Sequence, residues 1–149
     1  IVFGDWSSDV CSSDLRTFAM EPFLASLVPG LMMWSMILIN EIPDYEADTQ
    51  GGKWNLVARF GRKTGAWLYG VGLAVAYGIL IVSSATGILS PFILLGLLSL
   101  PFAAKTFFIM RRHLYDPLKM APANLAMIKV HSLTGLAMIA AFVIEWARL

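Results

Sequence analysis

Charge is what this chain is short of. Charged residues make up 14 % of its 149 residues, against roughly 25 % in a soluble domain. That shortage excludes a water-soluble globule, because too little polar surface remains to wrap a core. The only cysteine is Cys11, and one of the two histidines, His131, has no second His or Cys near it to make a transition-metal site. With a net charge of +1 and no basic stripe away from the flanks of the apolar runs, nucleic acid is excluded as a partner. What is abundant is apolar: 58 % hydrophobic residues predict an integral membrane protein with the lipid bilayer as its solvent.

The first fifteen residues are read separately. Trp6-Ser7-Ser8-Asp9-Val10-Cys11-Ser12-Ser13-Asp14-Leu15 resembles the in-frame translation of a common sequencing-library adapter. Residues 1–15 are therefore set aside as an artefact segment, expected to be disordered, as an expression scar would be. On this reading Cys11 carries no information on redox compartment, and the chain is expected to be the C-terminal part, residues 16–149, of a longer protein.

From Arg16 onward the hydropathy breaks into four runs, about Ala19–Asn40, Gly65–Ala85, Pro91–Met110 and Leu125–Ala147. Each is near the ~20 residues needed to cross a ~30 Å hydrocarbon core. A span must satisfy its own backbone hydrogen bonds, so all four are predicted to be helices and the fold class is an all-α, multi-span transmembrane bundle. Pro29-Gly30 and Pro101 are expected to kink or loosen their helices. Lys53, Arg59, Arg62 and Lys63 lie between the first two runs, and Arg111, Arg112 and Lys119 between the last two. The opposite side offers only Arg16 and Arg148. The positive-inside rule places both of these longer loops in the cytoplasm and makes Thr86–Ser90 a tight external turn.

The densest chemistry is Asn40-Glu41-Ile42-Pro43-Asp44-Tyr45-Glu46-Ala47-Asp48, four carboxylates and an amide against the end of the first apolar run. Acidic groups beside a span are costly and usually functional. Asn40, Asp44 and Asp48 are four residues apart, and on an unbroken helix they would share one face with Cβ atoms about 5–6 Å apart. Such an oxygen set suits a hard cation, Mg²⁺, and through it a phosphate. Pro43 cannot donate to Ile39, so the helix ends near Glu41 or bends there. Asp44 and Asp48 then keep helical spacing after the bend while Asn40 converges from before it. Glu41 and Glu46 point elsewhere and read as supporting or solvated groups.

Gly51-Gly52-Lys53 follows, a flexible pair that would deliver a cation back toward the carboxylates. Trp54–Lys63 mixes apolar and basic residues and reads as a short interfacial helix ended by Gly61. Within it Arg59 would reach an anionic ligand over the acidic site, whereas Arg62 and Lys63 are expected to snorkel to the membrane surface. Lys105 and Lys129 read as snorkelling, His131 as a hydrogen-bonded packing residue, and Pro122-Ala123-Asn124 as a helix start with Asn124 as its cap.

The pattern Asn40-Glu41-x-x-Asp44-x-x-x-Asp48-x-x-x-Gly52-Lys53-x-x-Leu56-x-x-Arg59-x-Gly61 resembles the second aspartate-rich region of the UbiA superfamily of membrane prenyltransferases. Within it, the chain is most similar to the branch that includes the 1,4-dihydroxy-2-naphthoate polyprenyltransferases of menaquinone synthesis. The resemblance implies a fold of about nine membrane helices, of which these would be the last four, in a bacterial or archaeal plasma membrane. It implies a Mg²⁺-dependent transferase moving a polyprenyl group from a prenyl diphosphate to an aromatic acceptor. Asp44 and Asp48 would be catalytic and hold Mg²⁺ with Asn40, Lys53 and Arg59 would contact diphosphate, and Met32, Met33 and Trp34 could line the prenyl path. The family's first aspartate-rich motif is expected upstream and is not in this sequence, so the chain by itself is expected to be inactive. A homogentisate, hydroxybenzoate, haem or chlorophyll-type acceptor stays open, as does prenyl chain length. Two other classes stay open as well: a cation transporter, which would carry acidic residues at mid-membrane depth, and a non-catalytic membrane subunit.

Overall fold

The computed structural model describes residues 20–148; the segment set aside above, residues 1–15, lies outside them. Every regular element among the described residues is helical. Four stretches are long and apolar enough to cross a membrane, Met20–Glu41, Arg62–Ala85, Pro91–Arg112 and Pro117–Trp146. They match the four runs of the sequence. We label the helices α1 (Met20–Glu41), α2 (Tyr45–Gln50), α3 (Leu56–Phe60), α4 (Arg62–Ala85), α5 (Leu100–Arg112) and α6 (Pro117–Trp146), with a 3₁₀ segment, Pro91–Ser99, leading into α5.

The spans pack as a bundle in which α4 is the most buried. On α1, Val28, Met32, Ser35 and Ile39 recur at helical spacing and are all fully buried, the stripe expected of a helix that presents one face to its neighbours. They meet Tyr69, Leu73, Ala76 and Leu80 of α4 in one continuous core. Gly72 is what lets the two helices close: a Cβ there would lie 2.7 Å from Ser35 Oγ and 2.8 Å from ring carbons of Trp34. Without a hydrophobic drive between helices in lipid, small residues at such crossings supply the contact area that holds spans together. The outward faces carry large apolar side chains, among them Leu98, Phe108, Leu118, Leu125, Leu136 and Ile139, each at least 61 % exposed. Hydrocarbon is the solvent that accommodates a surface of that kind.

The proline in the third span acts differently from a kink. Nine residues of 3₁₀ geometry are long for that conformation, and they hand over to α-helix one residue before Pro101. Pro101 therefore falls in the first turn of α5, where a missing N–H costs nothing. At ~2.0 Å per residue for the 3₁₀ part and ~1.5 Å for the α part, the span reaches about 37 Å. The junction is held by hydroxyls: Ser99 Oγ lies 2.7 Å from both Tyr77 Oη and Thr134 Oγ1 and 2.8 Å from Gly96 O. Thr134 in turn donates to Val130 O at 2.8 Å. These buried hydroxyls thus find partners on three spans, which a membrane interior demands.

The last span begins earlier than its hydropathy suggests. Asp116 caps α6 by accepting from Lys119 N at 3.2 Å, and Pro117 takes the first helical position, the order in which Asp and Pro favour a helix start. Pro122 is inside the helix, and Asn124 is not a cap. In α1, likewise, the helix runs continuously through Pro29. Lys105 and Lys129 are exposed. His131 departs from expectation: its Nδ1 is buried with no hydrogen-bond partner among the described residues.

Candidate functional site

The acidic segment folds as a tight turn followed by one short helix. Ile42 N still bonds Leu38 O at 3.2 Å, but Pro43 has no N–H to continue the ladder and α1 ends at Glu41. Fully buried Ile42 pins the turn to the bundle. Asp44 then occupies the N-cap position of α2 and accepts Asp48 N at its carbonyl, 2.8 Å away. Its carboxylate makes no capping bond and is exposed. The break at Pro43 divides the three-residue face read from the sequence: Asn40 stays on α1, whereas Asp44 and Asp48 belong to α2.

Asp48 is the organising group of the loop. Its side chain is 13 % exposed, and its carboxylate receives Lys53 Nζ at 3.2 and 3.3 Å and Asn55 Nδ2 at 2.6 Å. The chain curls back to allow this: Lys53 N bonds Asp48 O at 2.9 Å, and Gly52 sits at φ 72°, a conformation open to glycine. Lys53 thus returns to the carboxylates, as its position after two glycines suggested. Asn55 does two things with one amide. Its Oδ1 accepts from Ala58 N at 2.7 Å and caps α3, while its Nδ2 fixes Asp48. Glu41 accepts from Val57 N, a long contact at 3.5 Å, so it anchors the loop's second half to the end of α1. Gly61, at φ 85°, ends α3 and turns the chain directly into α4.

Arg62 is where the structure overturns the sequence reading. Its side chain does not snorkel; it is 9 % exposed and lies beneath the acidic turn. Nε donates to Ile42 O at 3.2 Å and Nη2 to Glu46 Oε1 at 3.2 Å. The guanidinium also sits 4.9 Å from the Tyr45 ring and 5.6 Å from the Tyr115 ring, within cation–π range. Only a planar fork with several donors serves two oxygens and two rings at once. Lys63, by contrast, is exposed.

Asn40 is committed elsewhere. Its Oδ1 accepts from Asn124 Nδ2 of α6 at 3.0 Å, although a carbonyl oxygen keeps a second lone pair. Arg59, at the end of α3, is exposed and makes no ion pair among the described residues. Of the apolar residues near this end, Met32 is fully buried in the core, Met33 is 47 % exposed and Trp34 lies against Gly72. Among the described residues no three His, Cys, Asp or Glu side chains gather closely enough to cage a metal.

Two residues that hold this loop, Asn55 and Arg62, were not singled out as site residues by sequence reasoning. An Asn directly before a short apolar run is a cap signal and could have found Asn55. Arg62 left a fainter trace: a cation in a helix's first turn opposes the macrodipole, so its placement there needs compensating partners, which here are the Ile42 carbonyl and the Tyr45 ring.

No curated protein and no solved structure matches this chain. A family model does, that of the UbiA prenyltransferase family, over residues 4–144. This span takes in all four membrane helices up to the last turn of α6 and the whole acidic loop. An all-helical membrane bundle with a carboxylate-bearing loop at one end agrees with that match, and the chain belongs to the UbiA prenyltransferase family.

Proposed function

We propose that Asp44 and Asp48 form, with Mg²⁺, the diphosphate site of a polyprenyl transfer whose aromatic acceptor is 1,4-dihydroxy-2-naphthoate, and that this loop faces the cytoplasm. Prenyl transfer is the family's activity; the acceptor, the metal, the site residues and the orientation are proposed. The observation that carries it is an exposed Asp44 carboxylate that makes no capping bond, four residues before an Asp48 carboxylate already oriented by Lys53 and Asn55. Mg²⁺ is usually held by one or two carboxylates plus substrate phosphates rather than by an all-protein cage. Among the described residues no three acidic side chains gather closely enough to cage a metal, which fits that mode, and Asn40 would add a neutral oxygen.

Bound there, Mg²⁺ would neutralise the charge that collects on the leaving diphosphate. In the transfer, the allylic C–O bond breaks with its electron pair leaving on diphosphate, an electron-rich ring carbon attacks the allylic carbon, and the ring then loses its proton. Lys53, 62 % exposed, is free to swing from Asp48 to diphosphate oxygens, where a cation stabilises the transition state more than the ground state. Arg59 stands exposed on the same loop and would supply a second contact. The described Asp and Glu residues within spans are Glu21, Glu41 and Glu145, all at helix ends, so nothing at mid-membrane depth supports ion transport.

The test is Mg²⁺-dependent binding of farnesyl diphosphate to the chain in detergent, with Asp44→Asn and Asp48→Asn as near-isosteric variants. Each is expected to weaken binding by at least about tenfold, one lost charge-assisted contact. Affinity that ignores Mg²⁺, or is unchanged in both variants, would remove the assignment.

A further inference from the structure

The second span packs against the 3₁₀ half of the third, but α4 and α5 touch only lightly and leave between them a groove of about 1200 Å³. This exceeds the ~300–1,000 Å³ of ordinary small-molecule pockets. Gly70 on α4 and Ala103 and Ala104 on α5 make the room. The apolar wall includes Trp67 and Phe108, 66 % and 69 % exposed, so the groove is open on the surface of the described bundle. Its rim at the cation-rich end is formed by Lys63 at the start of α4 and Arg111 and Arg112 at the end of α5.

The charge at that rim is not compensated. Asp116, the one carboxylate lining the groove, is already held by Lys119 at 2.8 Å. Among the described residues no carboxylate pairs with Lys63, Arg111 or Arg112; Arg111 instead rests 5.7 Å from the Phe107 ring. An apolar slot of this volume, capped by three cations without a carboxylate partner, is complementary to an amphiphile with an anionic head. The acidic loop offers the opposite chemistry, carboxylates that need a metal before they accept a phosphate.

We propose that this groove binds a phospholipid with an anionic headgroup, its phosphate at Lys63, Arg111 and Arg112 and an acyl chain along Trp67, Ala104 and Phe107. Basic pockets between spans at the cytoplasmic side select such lipids, and guanidinium groups match phosphate with two parallel hydrogen bonds. The proposal does not depend on the prenyl-transfer reading. Zwitterionic lipids carry the same phosphate beside a choline cation that the three basic groups repel, so the anionic over zwitterionic preference is expected to be at least about tenfold.

Native mass spectrometry of the chain in detergent, offered equal phosphatidylglycerol and phosphatidylcholine, measures that preference directly. Phosphatidylglycerol adducts are expected to dominate by at least about tenfold. Replacing Lys63, Arg111 and Arg112 together by Gln should bring the ratio near one, while Lys63→Arg with Arg111→Lys and Arg112→Lys should retain it. Gly70→Leu, whose side chain would grow toward Phe107 from a Cβ only 3.0 Å away from that ring, should block the adduct with the charge intact. Should the triple variant fail to fold, Gly70→Leu and the unaltered chain still decide. Equal retention of both lipids overturns the proposal. So does one-for-one displacement by farnesyl diphosphate without Mg²⁺, which would give the groove to substrate, or a lipid-free dimer, which would give it to a second copy.

Discussion

Replacing Arg62 by alanine should loosen the acidic turn while leaving the bundle intact. The guanidinium donates to the Ile42 carbonyl and lies over Tyr45 at 4.9 Å. A hydrogen bond from a charged donor contributes about 1.5–3 kcal/mol and the ring contact about 0.5–1 kcal/mol. Glu46 is 73 % exposed, so its ion pair is screened and adds close to nothing. The sum, about 2–4 kcal/mol, is local, because the core of α1 and α4 packs through other residues. Amide hydrogen exchange reads it: Asp48, Gly51 and Lys53 N–H groups are bonded within the loop, and their exchange should accelerate by about 30- to 900-fold if opening limits it. Amides from Tyr69 to Leu80 in α4 should be unchanged. Arg62→Lys keeps the charge and loses the fork, so it should fall between the two. Loop amides that exchange at the same rate in Arg62→Ala would refute the idea that this side chain holds the turn.

Two further outcomes follow from the packing and the caps. Gly72→Ala should lower the thermal midpoint in detergent, since its Cβ would lie 2.7 Å from Ser35 Oγ and 2.8 Å from the Trp34 ring and overpacking costs about 1–3 kcal/mol; an unchanged midpoint would disprove the close crossing. The Asp116 side-chain hydrogen bond with Lys119 holds its carboxyl below the usual aspartate value of 3.8. A depressed value in the folded state means the cap's contribution is complete above the unfolded pKa and fades as pH falls through the folded one. The Lys119 amide resonance should therefore titrate with a midpoint below 3.8, and Asp116→Asn should abolish that titration.

Much of this architecture was legible in the order of residues alone. Four apolar runs had to be helices, because a bilayer core offers backbone groups no other partners, and their positions agree with the spans found. Pro43 ended α1 where its missing donor required it, and Gly61 ended α3. Local chemistry also returned Lys53 to Asp48, five residues away. The start of α6 was misplaced for a local reason too: hydropathy marks where a helix enters lipid, whereas Asp116-Pro117 marks where it begins.

What the sequence determined by itself was the solvent this protein lives in, the four spans among its described residues and the loop that carries the carboxylates, since these depend on composition and near neighbours. Tertiary structure alone decided which groups hold that loop. Arg62 finds Tyr115 across two spans, and Asn40 finds Asn124 at a separation of 84 residues. The groove between α4 and α5 exists only because Gly70, Ala103 and Ala104 come to line one space. Such pairings depend on how helices cross rather than on any residue's own preference, and no periodicity along the chain records a crossing.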